Sequence, residues 1–225
     1  MLVQKLGLSL NTLRARGGWT PADESTLEAW YQKGVGITLN GSDVSEWADS
    51  SEEGHNMVQA TPLEQPGYAA GILSFVSADI NNLQTSVQIS LADEFTIGFI
   101  ANPEFYNNVI LGDNTTSNEF FKYSASDKFL IKIDGTSKTF TLDGGDTWGD
   151  DYIVVTRDSS DVISIWRNGV KQADTETLAG EADIDAIGVR ATDVNPFDGT
   201  VEEIQIYTSE SDELTTNINS YLSGI

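Results

Sequence analysis

The sequence predicts an all-β sandwich, and three observations carry that expectation. After Pro66, short segments rich in β-branched and aromatic residues recur along the chain, each closed by turn-forming residues. One of them, 128–134, alternates strictly: Phe129, Ile131 and Ile133 fall on one face and Lys128, Lys132 and Asp134 on the other, the period of a strand with one buried side. Asp134-Gly135 and Asn168-Gly169 are dipeptides of two-residue hairpin turns, in which both central residues need positive φ, so they predict antiparallel meanders. A length of 225 residues suits one large sandwich, since all-β domains often run to ~200–250 residues. The 39% of hydrophobic residues, spread along the chain, supply a core.

Taken in order, the chain opens with a chemically distinct segment. Lys5, Arg14 and Arg16 are the only charged residues before Asp23, so the first sixteen residues carry +3 and the rest −26, nine bases against 35 acids. With Leu2, Val3, Leu6, Leu8, Leu10 and Leu13 among those cations and Gly17-Gly18 behind them, 1–18 reads as a docking arm with a flexible joint, the other reading being a first strand of the sandwich itself. Leu2, Lys5, Leu6, Leu8, Leu10, Arg14 and Arg16 would make the contacts with a partner. Thr20, Pro21 and Asp23 have the order of an N-cap, a first helical position and an acidic third position, so a short helix is expected through Leu27 to Tyr31, ending near Gly34. From 35 to 66, Gly, Ser, Asp and Asn surround isolated aromatics, which suits short strands and turns around an anchoring Trp47.

Strands follow near 71–77, 85–91, 95–101, 108–111, 120–123, 129–133, 138–142, 152–157, 162–167, 184–190 and 200–207. The tail predicts a terminal helix across the sandwich, with Ser209 and Asp212 as a capping pair and Leu214, Ile218, Tyr221 and Leu222 on one face. No Pro/Ser-rich linker or repeated block interrupts 19–225, which reads as a single domain.

Composition removes several function classes. Cys is absent, so thiolate metal sites and disulfides are excluded, and with His55 the only imidazole any metal would need oxygen ligands, which leaves calcium. A formal charge of −23 opposes nucleic-acid binding. No stretch approaches the roughly 18 uninterrupted apolar residues of a membrane span. His55 lies in a polar loop and is expected at the surface, so no Ser-His-Asp arrangement is supported.

Three motifs, in order, resemble concanavalin A-like, laminin-G-like jelly-roll domains. They are Ala29-Trp30-Tyr31 with Val44-Ser45-Glu46-Trp47-Ala48-Asp49-Ser50-Ser51; then Ile153-Val154-Val155-Thr156-Arg157-Asp158 leading into Ile163-Ser164-Ile165-Trp166-Arg167-Asn168-Gly169-Val170; then Phe197-Asp198-Gly199-Thr200-Val201-Glu202-Glu203-Ile204-Gln205-Ile206-Tyr207. The sequence departs from the Gly/Asn-rich turn of such domains at 49–56. With the opening Gln4-Lys5-Leu6-Gly7-Leu8-Ser9-Leu10, the pattern is similar to virion structural proteins of tailed phages, particularly those of marine cyanobacteria. That resemblance implies a structural, decoration or appendage protein, located on the virion and present in many copies in a symmetric assembly. Its partners would be other capsid, tail or fibre proteins.

Three chemical alternatives stand beside it. Rim-loop aromatics and amides present sugars in this fold class, and Tyr106, Asn107, Asn114 and Trp148 are the residues placed to bind host-surface glycans, with pinning of its own loop as the other reading of Trp148. Calcium would find oxygens in Asp113, Asn114, Asn118 and Glu119, or in Asp143, Asp146, Asp150 and Asp151; the other reading is solvated turns. Glu181-Ala182-Asp183-Ile184-Asp185 places alternate acids on one face of a strand, as retaining glycosidases do, but the last acid is Asp where a Glu is needed for a separation of ~5–5.5 Å. The expectation is therefore a protein without catalytic residues and without an obligatory cofactor.

Overall fold

The computed structural model describes residues 18–191 and 193–225. The chain forms an all-β jelly-roll sandwich with one C-terminal helix. Its strands are β1 (Leu27–Tyr31), β2 (Ile37–Asn40), β3 (Asp43–Trp47), β4 (Met57–Val58), β5 (Gly67–Ala69), β6 (Ile72–Phe75), β7 (Leu83–Leu91), β8 (Phe95–Pro103) and β9 (Asn108–Gly112). They continue through β10 (Phe120–Ala125), β11 (Lys128–Ile133), β12 (Thr136–Thr141), β13 (Asp151–Arg157), β14 (Val162–Arg167), β15 (Val170–Lys171), β16 (Glu176–Thr177), β17 (Ala182–Ile187) and β18 (Gly199–Tyr207). The helix α1 spans Asp212–Leu222.

All the ladders are antiparallel. One layer runs β1, β18, β8, β13, β14, and the other β7, β17, β9, β10, β11, β12. Short strands β2 to β6 join the two at one edge, where β6 pairs with β18 and β4 with β7. Alternation along each strand decides what meets between the layers. Phe95, Ile97 and Phe99 of β8 and Ile153 and Val155 of β13 point inward, against Phe121, Tyr123, Phe129 and Ile131 of the opposite layer. Phe95 meets Phe121 at 6.2 Å and Phe99 meets Phe129 at 6.2 Å between ring centroids. The two predicted hairpins close as expected, with φ of 45° and 78° at Asp134-Gly135 and 51° and 78° at Asn168-Gly169. Trp47 is fully buried beside Tyr31, as its anchoring role requires.

Two local expectations are corrected. The N-terminal helix stops after a single 3-10 turn at Pro21–Asp23, where the Asp23 carboxylate accepts from the Thr20 N–H at 3.0 Å. Residues 27–31 are strand instead, because pairing with β18 (Ala29 opposite Ile206, Tyr31 opposite Ile204) buries Ala29 and Tyr31 in the core. At the other end the cap of α1 is Ser211, whose Oγ accepts from Leu214 N at 3.0 Å; Ser209 is turned away to a 2.6 Å hydroxyl contact with Thr26.

The helix covers the outer face of β8 and β13. Leu214, Ile218 and Leu222 meet Ile100, Val154 and Tyr207, and Tyr221 packs edge-on against Trp19 and Trp30. Gly98 makes this approach feasible, since a Cβ there would lie 2.6 Å from Ile218 Cγ2. Gly98→Val is therefore expected to lever α1 outward and cost about 1–3 kcal/mol, the usual range for overpacking, read as a lower urea midpoint. An unchanged midpoint would show that the helix adds nothing at this contact.

Beneath this layer Glu203 is fully buried, accepting from the Trp30 indole at 2.5 Å, from Lys33 N at 2.6 Å and from Gln205 Nε2 at 3.2 Å. Burial raises its carboxyl above the ordinary Glu value, although those bonds and Lys33 pull it back. Burial likewise raises Glu119, Asp185 and Glu210. Between the unfolded and the raised folded values the native chain holds protons that the unfolded chain has released, so these groups lose stability as pH rises through that window. The melting temperature is expected to be higher at about pH 5 than at pH 8, with a flatter dependence in Glu203→Gln. A melting temperature that climbs with pH over that range would contradict this.

Candidate functional site

The two outer faces of the sandwich differ. That of β8 and β13 lies under α1, whereas that of β7, β17, β10 and β11 carries polar side chains: Gln88 and Ser90, Asp183 and Asp185, Lys122, and Lys132. At the edge of this polar face the loop between β8 and β9 presents Phe105 and Tyr106, 59% and 37% exposed, the only exposed aromatic side chains among the described residues. Next in sequence, Asn107 takes a φ of 72°, and its Oδ1 accepts from Lys122 Nζ at 2.8 Å, which ties the loop to the sheet.

Lys122 is one of three cations around one ring. Phe120 lies under Arg190, Lys122 and Lys132 at 4.6, 5.6 and 5.9 Å from its centroid. The register sets them there: Gly112, Phe120 and Lys132 are direct neighbours across β9, β10 and β11 and share a face. Gly112 has no side chain, and a Cβ would come within 2.9 Å of Arg190 Cβ and 2.6 Å of the Val189 carbonyl. The absence of that Cβ is what lets Arg190 lie over the ring. Burial lowers the Lys122 ammonium from its ordinary value, and the neighbouring Arg190 charge lowers it further.

The sequence-predicted site residues separate into groups. Tyr106 and Asn107 sit together before β9, but Asn114 follows it, with five residues of strand between, or about 16 Å at ~3.3 Å per residue. Asn114 N donates to Asp185 at 2.6 Å, and its side chain accepts from Asp193 N. Trp148 is 5% exposed and packs on Tyr123 and Phe129 at 5.3 and 5.8 Å, so it pins its loop and offers no face to a sugar. Phe105 and the cations around Phe120 are what sequence reading missed. Phe105 stood beside Tyr106 in an otherwise polar loop, a signal within reach. Arg190 was not, because only the tertiary path of the segment after β17 brings it to β10.

The expected calcium loop is closed by its own donors. Asp113, 2% exposed, accepts from Thr115 N and Oγ1, each at 2.6 Å, and from Thr116 N at 3.2 Å, while Glu119 accepts from Thr116 Oγ1 at 2.7 Å. Asn118 N donates to that same hydroxyl. In the second acidic loop, Asp146 and Asp151 pair with Arg167 at 3.2 and 2.8 Å, and Asp143 accepts from Ala173 N. Among the described residues no three acidic or imidazole groups gather as a metal site would need.

In the acidic string, Ala182 and Ile184 enter the core, while Asp183 accepts from Ser90 Oγ at 2.6 Å and Asp185 from Asn114 N. Glu181 precedes β17 and is exposed. His55, expected at the surface, is buried: its ring contacts Glu28 Oε1 at 2.9 Å and the Val87 carbonyl at 3.1 Å. Residues 49–56 fold back on Asp49, whose carboxylate accepts from Trp30, Ser51 and His55 N–H groups, and this carries the imidazole inward. The arm residues Leu2, Lys5, Leu6, Leu8, Leu10, Arg14 and Arg16 lie outside the described residues.

No family model matches the sequence and no curated protein matches it. Solved structures do resemble the fold. The binding domain of Paraclostridial Mosquitocidal Protein 1 superposes with a TM-score of 0.57 at 15% identity over 90% of this chain, which spans 53% of that one. A Trypanosoma rangeli sialidase gives 0.56 at 12% identity over 88% of this chain, against 32% of its own. Domain 4 of AbnA, a GH43 extracellular arabinanase from Geobacillus stearothermophilus, solved with arabinotriose, gives 0.54 at 14% identity over 86% of this chain and 98% of that domain. At these identities the likeness establishes the sandwich fold.

Proposed function

We propose that the chain is a non-catalytic glycan-binding domain that receives saccharide on the polar outer face of β7, β17, β10 and β11, at the edge marked by Phe105 and Tyr106. The placement of those two rings carries the reading. Exposed aromatic surface goes without the free energy of burial, and a sugar recovers it by laying an apolar face on a ring while amides and charged groups take its hydroxyls. Asn107 and Lys122 stand next to the rings to do so. That a domain of similar fold was solved with arabinotriose supports the reading.

A glycan array followed by calorimetry tests it. The Phe105→Ala, Tyr106→Ala double variant should lose about tenfold or more in affinity for whichever glycan binds, with its melting temperature unchanged because both rings are exposed. Unaltered binding by the variant, or no binding by the parent chain, would remove the proposal.

A second reading, compatible with the first, is display of this domain on a virion. It is supported by the charge reversal between the first sixteen residues and the remainder, and by the resemblance to phage structural proteins; the solved neighbours do not bear on it. Deleting residues 1–18 should leave a folded sandwich and abolish incorporation into particles. Unchanged incorporation would exclude the arm.

A further inference from the structure

We propose that Lys122, Lys132 and Arg190 seat the acid group of an anionic saccharide; the inference rests on the glycan-binding reading and narrows it to acidic sugars. The argument begins with charge. In a chain of formal charge −23, three cations gathered at one point without an acidic partner are conspicuous. Lys33 pairs with Glu202, Lys138 with Glu176 and Arg167 with Asp146 and Asp151, while Arg157 is buried on backbone carbonyls. Lys128 and Lys171 also form no ion pair among the described residues, but Lys171 lies singly over Trp166, whereas the three unpaired cations Lys122, Lys132 and Arg190 converge on the Phe120 ring. Each is held instead by a neutral acceptor: Lys122 by Asn107 Oδ1 at 2.8 Å, Lys132 by the Ser117 carbonyl at 2.8 Å, and Arg190 by Asn195 Oδ1 at 2.7 Å.

Neutral acceptors orient a cation without cancelling its charge. Three like charges converging on one ring repel one another, and an anion placed among them relieves that repulsion. Burial lowers both Lys122 and Arg190 from their ordinary values, and for Lys122 the Arg190 charge adds to it, which agrees with positive charge held close together at this point. Arg190 Nε is buried and has no hydrogen-bond partner among the described residues, so the hydrogen bonding of the guanidinium is incomplete at this point. Glu119, although adjacent to Phe120 in sequence, engages Thr116 and leaves the cations alone.

The placement also selects the ligand. Lys122 is bonded to Asn107, one residue from Tyr106 and two from Phe105, so an acid group at the cations directs the rest of a saccharide toward the exposed rings. A carboxylate of a uronic acid and a sulfate ester share the needed chemistry: a compact oxyanion able to take several charge-assisted hydrogen bonds. At physiological ionic strength the Debye length is ~8 Å, so acids farther away than that are largely screened while these three cations act directly.

Calorimetry at physiological salt with a galacturonate oligomer, a sulfated disaccharide, a neutral oligosaccharide and inorganic sulfate tests the inference. The galacturonate or the sulfated sugar should bind about tenfold or more tightly than the neutral one. Lys132→Gln and Arg190→Gln should each remove about a factor of ten from acidic-sugar affinity and leave any neutral-sugar affinity unchanged. Lys132, at the edge of the cluster, keeps the test decisive if Arg190→Gln disturbs packing. Equal affinity for acidic and neutral sugars, or no response to either substitution, overturns the inference and leaves the glycan-binding reading in place. Tight binding of sulfate ion that a sugar does not improve overturns the saccharide assignment, and no binding of any saccharide overturns both.

Discussion

Arg157→Ala is expected to cost about 3–5 kcal/mol of folding free energy, enough to leave the sandwich marginal. Arg157 lies at the end of β13 with no exposed surface, and its alternation with Ile153 and Val155 directs it into the core. The guanidinium answers the polar ends of neighbouring segments: Nη1 donates to the Gly180 carbonyl at 2.6 Å, Nη2 to the Leu91 carbonyl at 2.8 Å and to Asp93, and Nε to the Asp93 carbonyl at 2.8 Å. The guanidinium carbon lies 4.9 Å from the Phe95 ring centroid. Alanine would leave the buried Leu91 carbonyl and the partly buried Asp93 and Gly180 carbonyls, which converge from the β7–β8 turn and the approach to β17, without their donor, and would open a void against Phe95. Arg157→Lys should recover little, because one ammonium cannot reproduce a planar fork of five donors. Urea denaturation reads the effect, and a loss under about 1 kcal/mol would mean that water replaces the guanidinium at no cost.

Arg157 also shows where the sequence was legible. The segments 153–158 and 163–170 were readable as paired strands ending in an Asn168-Gly169 turn, and the structure pairs Ile153 with Arg167 and Arg157 with Ile163, while the Asn-Gly turn closes β14 onto β15. Period and turn chemistry are local, so strands survive the passage from sequence to fold. What the buried arginine bonds to was not legible, since Leu91, Asp93 and Gly180 lie far from it in sequence. The same division explains the errors. Thr20-Pro21-Asp23 did start a helical turn, but β18, more than 170 residues away, claimed 27–31 for its sheet. His55 sat among polar residues in sequence, and only the fold of 49–56 around the Asp49 carboxylate buries it. Within the candidate site, Tyr106 and Asn107 could be chosen because turn residues beside aromatics are visible in sequence. Asn114, chosen on composition, lies at the far end of β9, a distance that only the strand's direction reveals.

Trp148→Ala is expected to destabilise the protein by about 3–5 kcal/mol and to leave saccharide affinity unchanged where the variant remains folded. This residue had two readings from sequence, a sugar platform or a pin for its loop, and they predict opposite outcomes. A platform would be exposed, and its loss would weaken binding at constant stability. The indole is instead buried against Tyr123 and Phe129, with Arg167 at 6.0 Å from its ring, and its backbone N–H donates to the Ser126 carbonyl at 2.8 Å. Removing it opens a cavity where the loop after β12 closes the end of the core, so the cost is that of a large buried aromatic. The Phe105–Tyr106 loop is anchored elsewhere: Asn107 N donates to the Tyr123 carbonyl at 2.7 Å and Asn107 Oδ1 accepts from Lys122 Nζ, bonds of the β10 backbone and of Lys122 in which the indole takes no part. Substituting phenylalanine, which retains most of the packing, should return most of the lost stability; a variant at this position that binds glycan poorly while melting at the parental temperature would restore the platform role.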